Sequence, residues 1–154
     1  MIVYHGGFTT VEKPEIRTSE HCKDFGQGFY CTGFQTQAER WAARYPTSIV
    51  SIYKYTAQNI LNALEFESMT EAWLDFIVNC RSGKTHNHDI VSGAMANDQV
   101  WNYVADYIAG ILTREQFWVL AKFKRPTHQI AFCSPQALGC LQFLESYEVP
   151  HGRP

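Results

Sequence analysis

The net charge of this chain does not supply the basic field that a nucleic-acid binder working by phosphate neutralisation needs, though a local basic pocket stays open. Thirteen lysines and arginines face fifteen aspartates and glutamates across 154 residues, a formal net charge of −2 that argues against that class. No apolar run reaches the length of a bilayer span. The opening Met1-Ile-Val-Tyr-His-Gly also lacks the basic region and apolar core of a signal peptide. A cytoplasmic protein with no membrane partner is the expectation. The C-x-x-C pair is missing as well: Cys22, Cys31, Cys80, Cys133 and Cys140 are an odd, scattered set that suggests neither a disulfide framework nor a zinc ribbon. Buried free thiols are expected in their place. Repeats and low-complexity stretches are absent too.

What is present describes an ordinary globular chain, 45% hydrophobic and 18% charged, long enough for one proper core and short for two. Residues 1–154 read as a single domain. Ile2 to His5 forms a short buried strand, and residues 6–23 read as loop with a helical turn at most. Thr36-Gln-Ala-Glu39 fits a capping box for a helix carrying Ala38, Trp41, Ala42 and Tyr45 to Pro46. Ser48 to Thr56 is β-rich and belongs near the middle of a sheet. Asn59 to Phe66 suits a short strand or a single turn. Ser68-Met-Thr-Glu71 caps a helix with Trp73, Phe76, Ile77 and Cys80 along one stripe, and Arg81 to His88 is a polar loop.

Asp89 to Gly93 reads as another strand, and Asn97 or Asp98 caps a helix through Val100, Val104, Tyr107, Ile108 and Ile111. Thr113-Arg-Glu-Gln116 offers a second capping box, for a helix through Phe117, Leu120 and Phe123. Its basic end, Lys122 to Arg125, precedes Pro126. Gln129 to Cys133 is the last core strand. Ser134-Pro135 then starts a helix that Leu138, Leu141 and Phe143 carry inward, with an edge strand from Leu144 onward. Irregularly interleaved strands and helices place the chain in the α+β class.

Several motifs have plain readings. Ser82-Gly-Lys-Thr85 lacks the glycine that a phosphate loop needs where Val78 stands, and the strand before and helix after it; it reads as a solvated loop. His86, His88 and Asp89 find no matching ligands elsewhere at metal spacing, so no metal is expected. Core packing accounts for Trp41, Trp73, Trp101 and Trp118. His5 and Tyr30 stand apart, because each lies beside glycines at a strand end, where backbone groups and a ring are open to a ligand.

The ordered set Tyr4-His5-Gly6-Gly7, then Asp24-Phe-Gly-Gln-Gly-Phe-Tyr-Cys-Thr32 with Gln37-Ala-Glu-Arg-Trp-Ala42, then Asp89 to Asp98, then Gln129-Ile-Ala-Phe with Ala137 to Leu141, resembles a bacterial family of uncharacterised proteins, the DUF3990 family. That family looks like a branch of the ADP-ribosyltransferase fold. The resemblance implies a split β-sheet that holds NAD in its cleft. His5 would bond a ribose hydroxyl, the Gly6 backbone would pair with the nicotinamide amide, and Tyr30 would stack on the nicotinamide ring. Tyr45 would flank its other side, and Gly26 and Gly28 would shape the turn before Tyr30. Arg17 and Lys23 are candidates for the pyrophosphate. Where the family's third motif usually has a glutamate, this chain has Gln129, which can bond a hydroxyl but carries no charge. Asp98 is then the candidate carboxylate. The implied activity is NAD-dependent mono-ADP-ribosyl transfer to an unknown protein or nucleic-acid acceptor. A bacterial toxin held in check by a small partner protein is its expected setting. An NAD glycohydrolase and a non-catalytic nucleotide binder are the competing expectations.

Overall fold

A computed structural model of the chain describes residues 1–18, 23–96, 98–121 and 127–150, with Asp98 described by its backbone alone. The architecture is α+β. One sheet has the order β1 (Ile2–Gly7), β3 (Ile49–Tyr55), β7 (Leu141–Glu148), all antiparallel. The β-rich stretch does take the central place predicted for it. The other sheet runs β2 (Phe29–Cys31), β6 (Gln129–Phe132), β5 (Ile90–Gly93), β4 (Ala63–Glu65), antiparallel except for the β4–β5 pair. Every residue of β6 is buried, as suits a central strand covered on both faces.

The two sheets touch through an isolated bridge. Tyr4 N–H donates to the Thr32 carbonyl at 2.8 Å, and Thr32 N–H donates to the Tyr4 carbonyl at 2.9 Å. Beyond it the strands part, so Gly6 and Tyr30, which would form the next rung, do not pair. Behind the bridge the sheets pack on each other through Val3, Phe29, Cys31, Tyr53, Ile130 and Phe132, with the Phe29 and Tyr53 rings edge to face at 5.7 Å. Burying such side chains contributes roughly 1.5–3 kcal/mol each, which holds the two sheets together behind the divergence.

Helices close the outer faces. α1 (Gln35–Ala42) lays Ala38 and Ala42 on Val50 of the first sheet. α2 (Glu71–Arg81), α3 (Asp98–Ile108) and α4 (Arg114–Ala121) bury Trp73, Leu74, Ile77, Val100, Val104 and Phe117 around Phe25. α5 (Pro135–Leu138) is a single turn. The predicted caps hold where they are local. Thr70 Oγ1 accepts from Trp73 N–H at 3.3 Å, and Ser134 Oγ accepts from Ala137 N–H at 3.2 Å. Thr113 and Gln116 bond reciprocally at 3.2 and 2.9 Å, a complete capping box.

Five readings are corrected. α1 begins one residue before Thr36, with Phe34 at the cap position and no side-chain cap, so Thr36 lies within the first turn and cannot cap it. The same helix stops at Ala42, short of Tyr45. Leu141 and Phe143 belong to β7 and not to a helix: their inward facing alternates with exposed Gln142 and Leu144, a period of two that the helical reading overlooked. Ile111 lies beyond α3 and is 70% exposed. Of the four tryptophans Trp73 is fully buried, whereas Trp101 is 41% exposed. The extension of α4 through Phe123, its basic end Lys122 to Arg125, and Pro126 lie outside the described residues, as do Cys22 and Asn97. No helix among the described residues is long and apolar enough to cross a membrane.

Candidate active site

A cleft of about 630 Å³ opens where β1 and β2 diverge, lined by His5, Gly6, Asp24, Tyr30, Gln129 and, toward its rim, Trp41, Arg44, Tyr45 and Trp101. Its size is that of a small-molecule site, roughly 300–1,000 Å³. The ladder register determines what Gly6 offers to it. Met1 and Tyr55 exchange both backbone hydrogen bonds, so odd-numbered residues of β1 bond to β3 and even-numbered ones face away. Tyr4 spends its outward N–H and C=O on Thr32. Gly6 opposes Val50 at the next outward position, so its N–H and C=O project off the edge of β1 toward the cleft, with no partner among the described residues. The lack of a Cβ at Gly6 serves packing: a Cβ there would sit 2.0 Å from the Ala38 carbonyl of α1.

His5 fills the fork between the strands. Its Nδ1–H donates to the Tyr30 carbonyl at 2.7 Å, and its ring stacks on Phe29 at 4.3 Å between centroids. Burial and the nearby charge of Lys23 hold its pKa below the ordinary 6.5, against the pull of the Tyr30 carbonyl. The imidazole is therefore neutral at pH 7, with Nδ1 protonated and Nε2 left as an acceptor. Tyr30 is held at its far end: its hydroxyl donates to the Gly26 carbonyl and accepts from Phe25 N–H at 3.2 Å. Burial raises its pKa strongly, so it acts here as a neutral, fixed ring. Lys23 Nζ lies over that ring, 4.7 Å from its centroid, and burial lowers its pKa. A cationic ring stacks on Tyr30 only on the other face, or with Lys23 moved aside.

The carboxylate beside Gln129 is Asp24. It is 4% exposed and lines the cleft. Arg81 Nε and Nη2 donate to its Oδ1 at 2.9 and 2.7 Å, while Ala96 N–H and Gln129 Nε2 donate to Oδ2 at 3.0 and 3.1 Å. Burial pulls the Arg81 pKa down against the raising effect of Asp24. The guanidinium also lies flat on Trp101, 3.3 Å from its ring centroid, and donates to the Trp101 carbonyl at 3.1 Å. The sequence reading assigned Asp24 only the head of a glycine-aromatic stretch. The available signal was the one carboxylate in the stretch from Asp24 to Thr32; its partners lie 57, 72 and 105 residues away.

Other candidates fall around this centre. Tyr45 is 43% exposed at the rim, its ring against Phe8 at 5.4 Å. Gly28 lies outside the main cleft, beside an adjoining cavity of about 210 Å³ that also has His5, Lys23 and Arg17 on its walls. A Cβ at Gly28 would meet the Phe132 carbonyl at 2.9 Å, so close packing of β2 on β6 explains the glycine there. Arg17 is exposed, with Glu15 at 3.9 Å. The Asp98 backbone opens α3, and its side chain lies outside the described residues. His86 donates through Nε2 to the Phe25 carbonyl at 2.8 Å, and Asp89 accepts from Asn62 N–H at 2.8 Å, so both brace loops.

Fold and site together define an α+β protein with a cleft of small-molecule size at the junction of two sheets, walled by a buried ion pair, a neutral histidine and an open strand edge. The chain belongs to the family described as Protein of unknown function (DUF3990), whose model matches residues 1–143. No match was found among curated proteins or among solved structures.

Proposed function

We propose that this protein binds NAD in the cleft between its two sheets and transfers ADP-ribose from it to a macromolecular acceptor. The observation that carries the reading is the open edge at Gly6: a peptide N–H and C=O side by side, without a partner among the described residues, beside a fixed aromatic ring. A primary amide on an aromatic ring, as in nicotinamide, offers the matching C=O and N–H. Tyr30 supplies the stacking surface, and His5 Nε2 and Gln129 supply acceptors for ribose hydroxyls. Lys23 and Arg17, on the walls of the adjoining cavity, suit a pyrophosphate.

In the reaction the bond between ribose C1′ and the nicotinamide nitrogen breaks, and its electron pair leaves with neutral nicotinamide. A lone pair of the acceptor forms the new bond to C1′, and its proton passes to water. A rigid stack and fixed acceptors hold the ribose as positive charge develops on it. Incubation with labelled NAD and a bacterial lysate is expected to release nicotinamide and label an acceptor, with Tyr30→Ala reducing the rate about a hundredfold through lost positioning. A folded wild type that releases no nicotinamide and transfers no label sinks the enzymatic reading.

One observation favours a second reading, a non-catalytic NAD binder. Asp24 is the one acidic residue on the walls of the main cleft among the described residues, and donors already occupy both its oxygens. NAD that raises the melting temperature without turnover identifies that case.

A further inference from the structure

We propose that Asp24 is a positioning residue: it fixes which end of the Gln129 amide faces the cleft, and it makes an amide and not a carboxylate the side chain that fits at position 129. The inference rests on the NAD reading only for the identity of the ligand.

The donors around Asp24 decide the orientation. A guanidinium and a backbone N–H can only donate, so Asp24 accepts on both oxygens, Oδ1 from Arg81 and Oδ2 from Ala96 N–H. Whatever end of residue 129 meets Oδ2 must therefore donate as well. That assigns the NH2 group of Gln129 to Asp24, at 3.1 Å, on chemical grounds independent of how the amide was drawn. Oε1 is then turned the other way, with no partner among the described residues, on a side chain that lines the cleft. At Oε1 itself Gln129 accepts a hydrogen bond and offers none. It takes a ligand hydroxyl, or another N–H or O–H donor, and rejects a phosphate or carboxylate oxygen.

A glutamate at 129 would put a second carboxylate oxygen against Oδ2. Three donors already hold the Asp24 charge, so the shared proton would reside on the new side chain. Protonated, that side chain copies the glutamine, donating to Asp24 and presenting its carbonyl oxygen to the cleft. Ionised, it repels Asp24 and its pKa is raised. The titratable groups facing this pair are Arg81 from α2, Tyr30 from β2, Lys23 from the loop before it and His5 from β1. Burial lowers the pKa of both His5 and Lys23, and both are present in the wild type, which is measured at the same pH values.

The test compares wild type, Gln129→Glu and Asp24→Asn/Gln129→Glu for NAD affinity by calorimetry and for melting temperature, at several pH values. A group whose folded pKa is raised stabilises below its unfolded pKa and ceases to as pH rises. Gln129→Glu is thus expected to match the wild type within about threefold in affinity near pH 5 and to bind at least about tenfold more weakly at pH 8, its melting deficit growing in step. In the double variant an amide at position 24 can donate to the new carboxylate, at the cost of the Ala96 bond. It is expected to bind at least about threefold more tightly than the single variant at pH 8. A pH-independent Gln129→Glu, or a double variant no better than the single one, overturns the proposal.

Should the glutamate variant not fold, the wild type decides. The side-chain amide protons of Gln129, identified by their loss in Gln129→Met, should exchange with water far more slowly than those of exposed Gln58; equal rates refute the assignment. A wild type that binds no NAD refutes the NAD reading instead, while melting curves and amide exchange still report on Asp24 and Gln129.

Discussion

At the scale of single residues, His5 carries the clearest solution signature. Its folded pKa is held below 6.5 by burial first and by Lys23 second, so the folded protein binds fewer protons than the unfolded chain just below that value. Its contribution to stability is present above 6.5 and is lost as pH falls through that point toward the folded pKa. Burial depresses His88 and His128 in the same direction. Denaturant unfolding should therefore show stability falling between about pH 7.5 and 5, with a shallower fall in His5→Gln. An unchanged slope in that variant would count against the neutral, buried imidazole.

At the scale of elements, the cleft depends on how closely β1 lies on α1. Gly6 meets the α1 backbone, and a Cβ added there would lie 2.0 Å from the Ala38 carbonyl and 2.9 Å from the Ala42 nitrogen. No rotamer relieves a clash with main chain, so either the helix or the strand edge must move. Gly6→Ala should cost about 1–3 kcal/mol in urea unfolding, together with loss of the NAD binding proposed for the cleft. A variant of wild-type stability would show that the contact is looser than described. Helix starts decided locally, those of α2, α4 and α5, were legible from Ser68-Met-Thr-Glu71, Thr113 and Ser134, because a cap involves residues three positions apart. The start of α1 and the C-terminal end of α5 were not, since Thr36 and Leu141 have the right chemistry or spacing for a helix while tertiary packing places one inside a turn and the other in a strand.

At the scale of the whole molecule, two arginine networks invite comparison. Arg114 reaches Glu71 and Asp75, which are 58% and 57% exposed. Arg81 and Asp24 are each 5% exposed, and their group joins α2, the approach to β2, the segment before α3 and β6. Removing one partner of a buried pair strands a charge and costs about 3–5 kcal/mol, whereas an exposed pair is worth about 0–1 kcal/mol. Arg81→Met should therefore destabilise strongly and Arg114→Met by about 1 kcal/mol or less, as read from denaturation midpoints. Equal effects would mean that the buried group does not tie these elements together.

The sequence by itself determined the α+β class, the central place of Ile49–Tyr55, the caps of three helices, and His5, Gly6 and Tyr30 as residues of interest at strand ends. Each follows from neighbours in the chain: alternation, capping spacing, or glycines beside a ring. Only the tertiary structure decided that β1 and β2 part after one bridge, leaving the Gly6 peptide open. Only it placed Asp24 beneath Gln129; the resemblance had pointed to Asp98 as the carboxylate, and that side chain lies outside the described residues. Those facts rest on contacts between residues tens of positions apart, where register and packing, not local propensity, choose the partner.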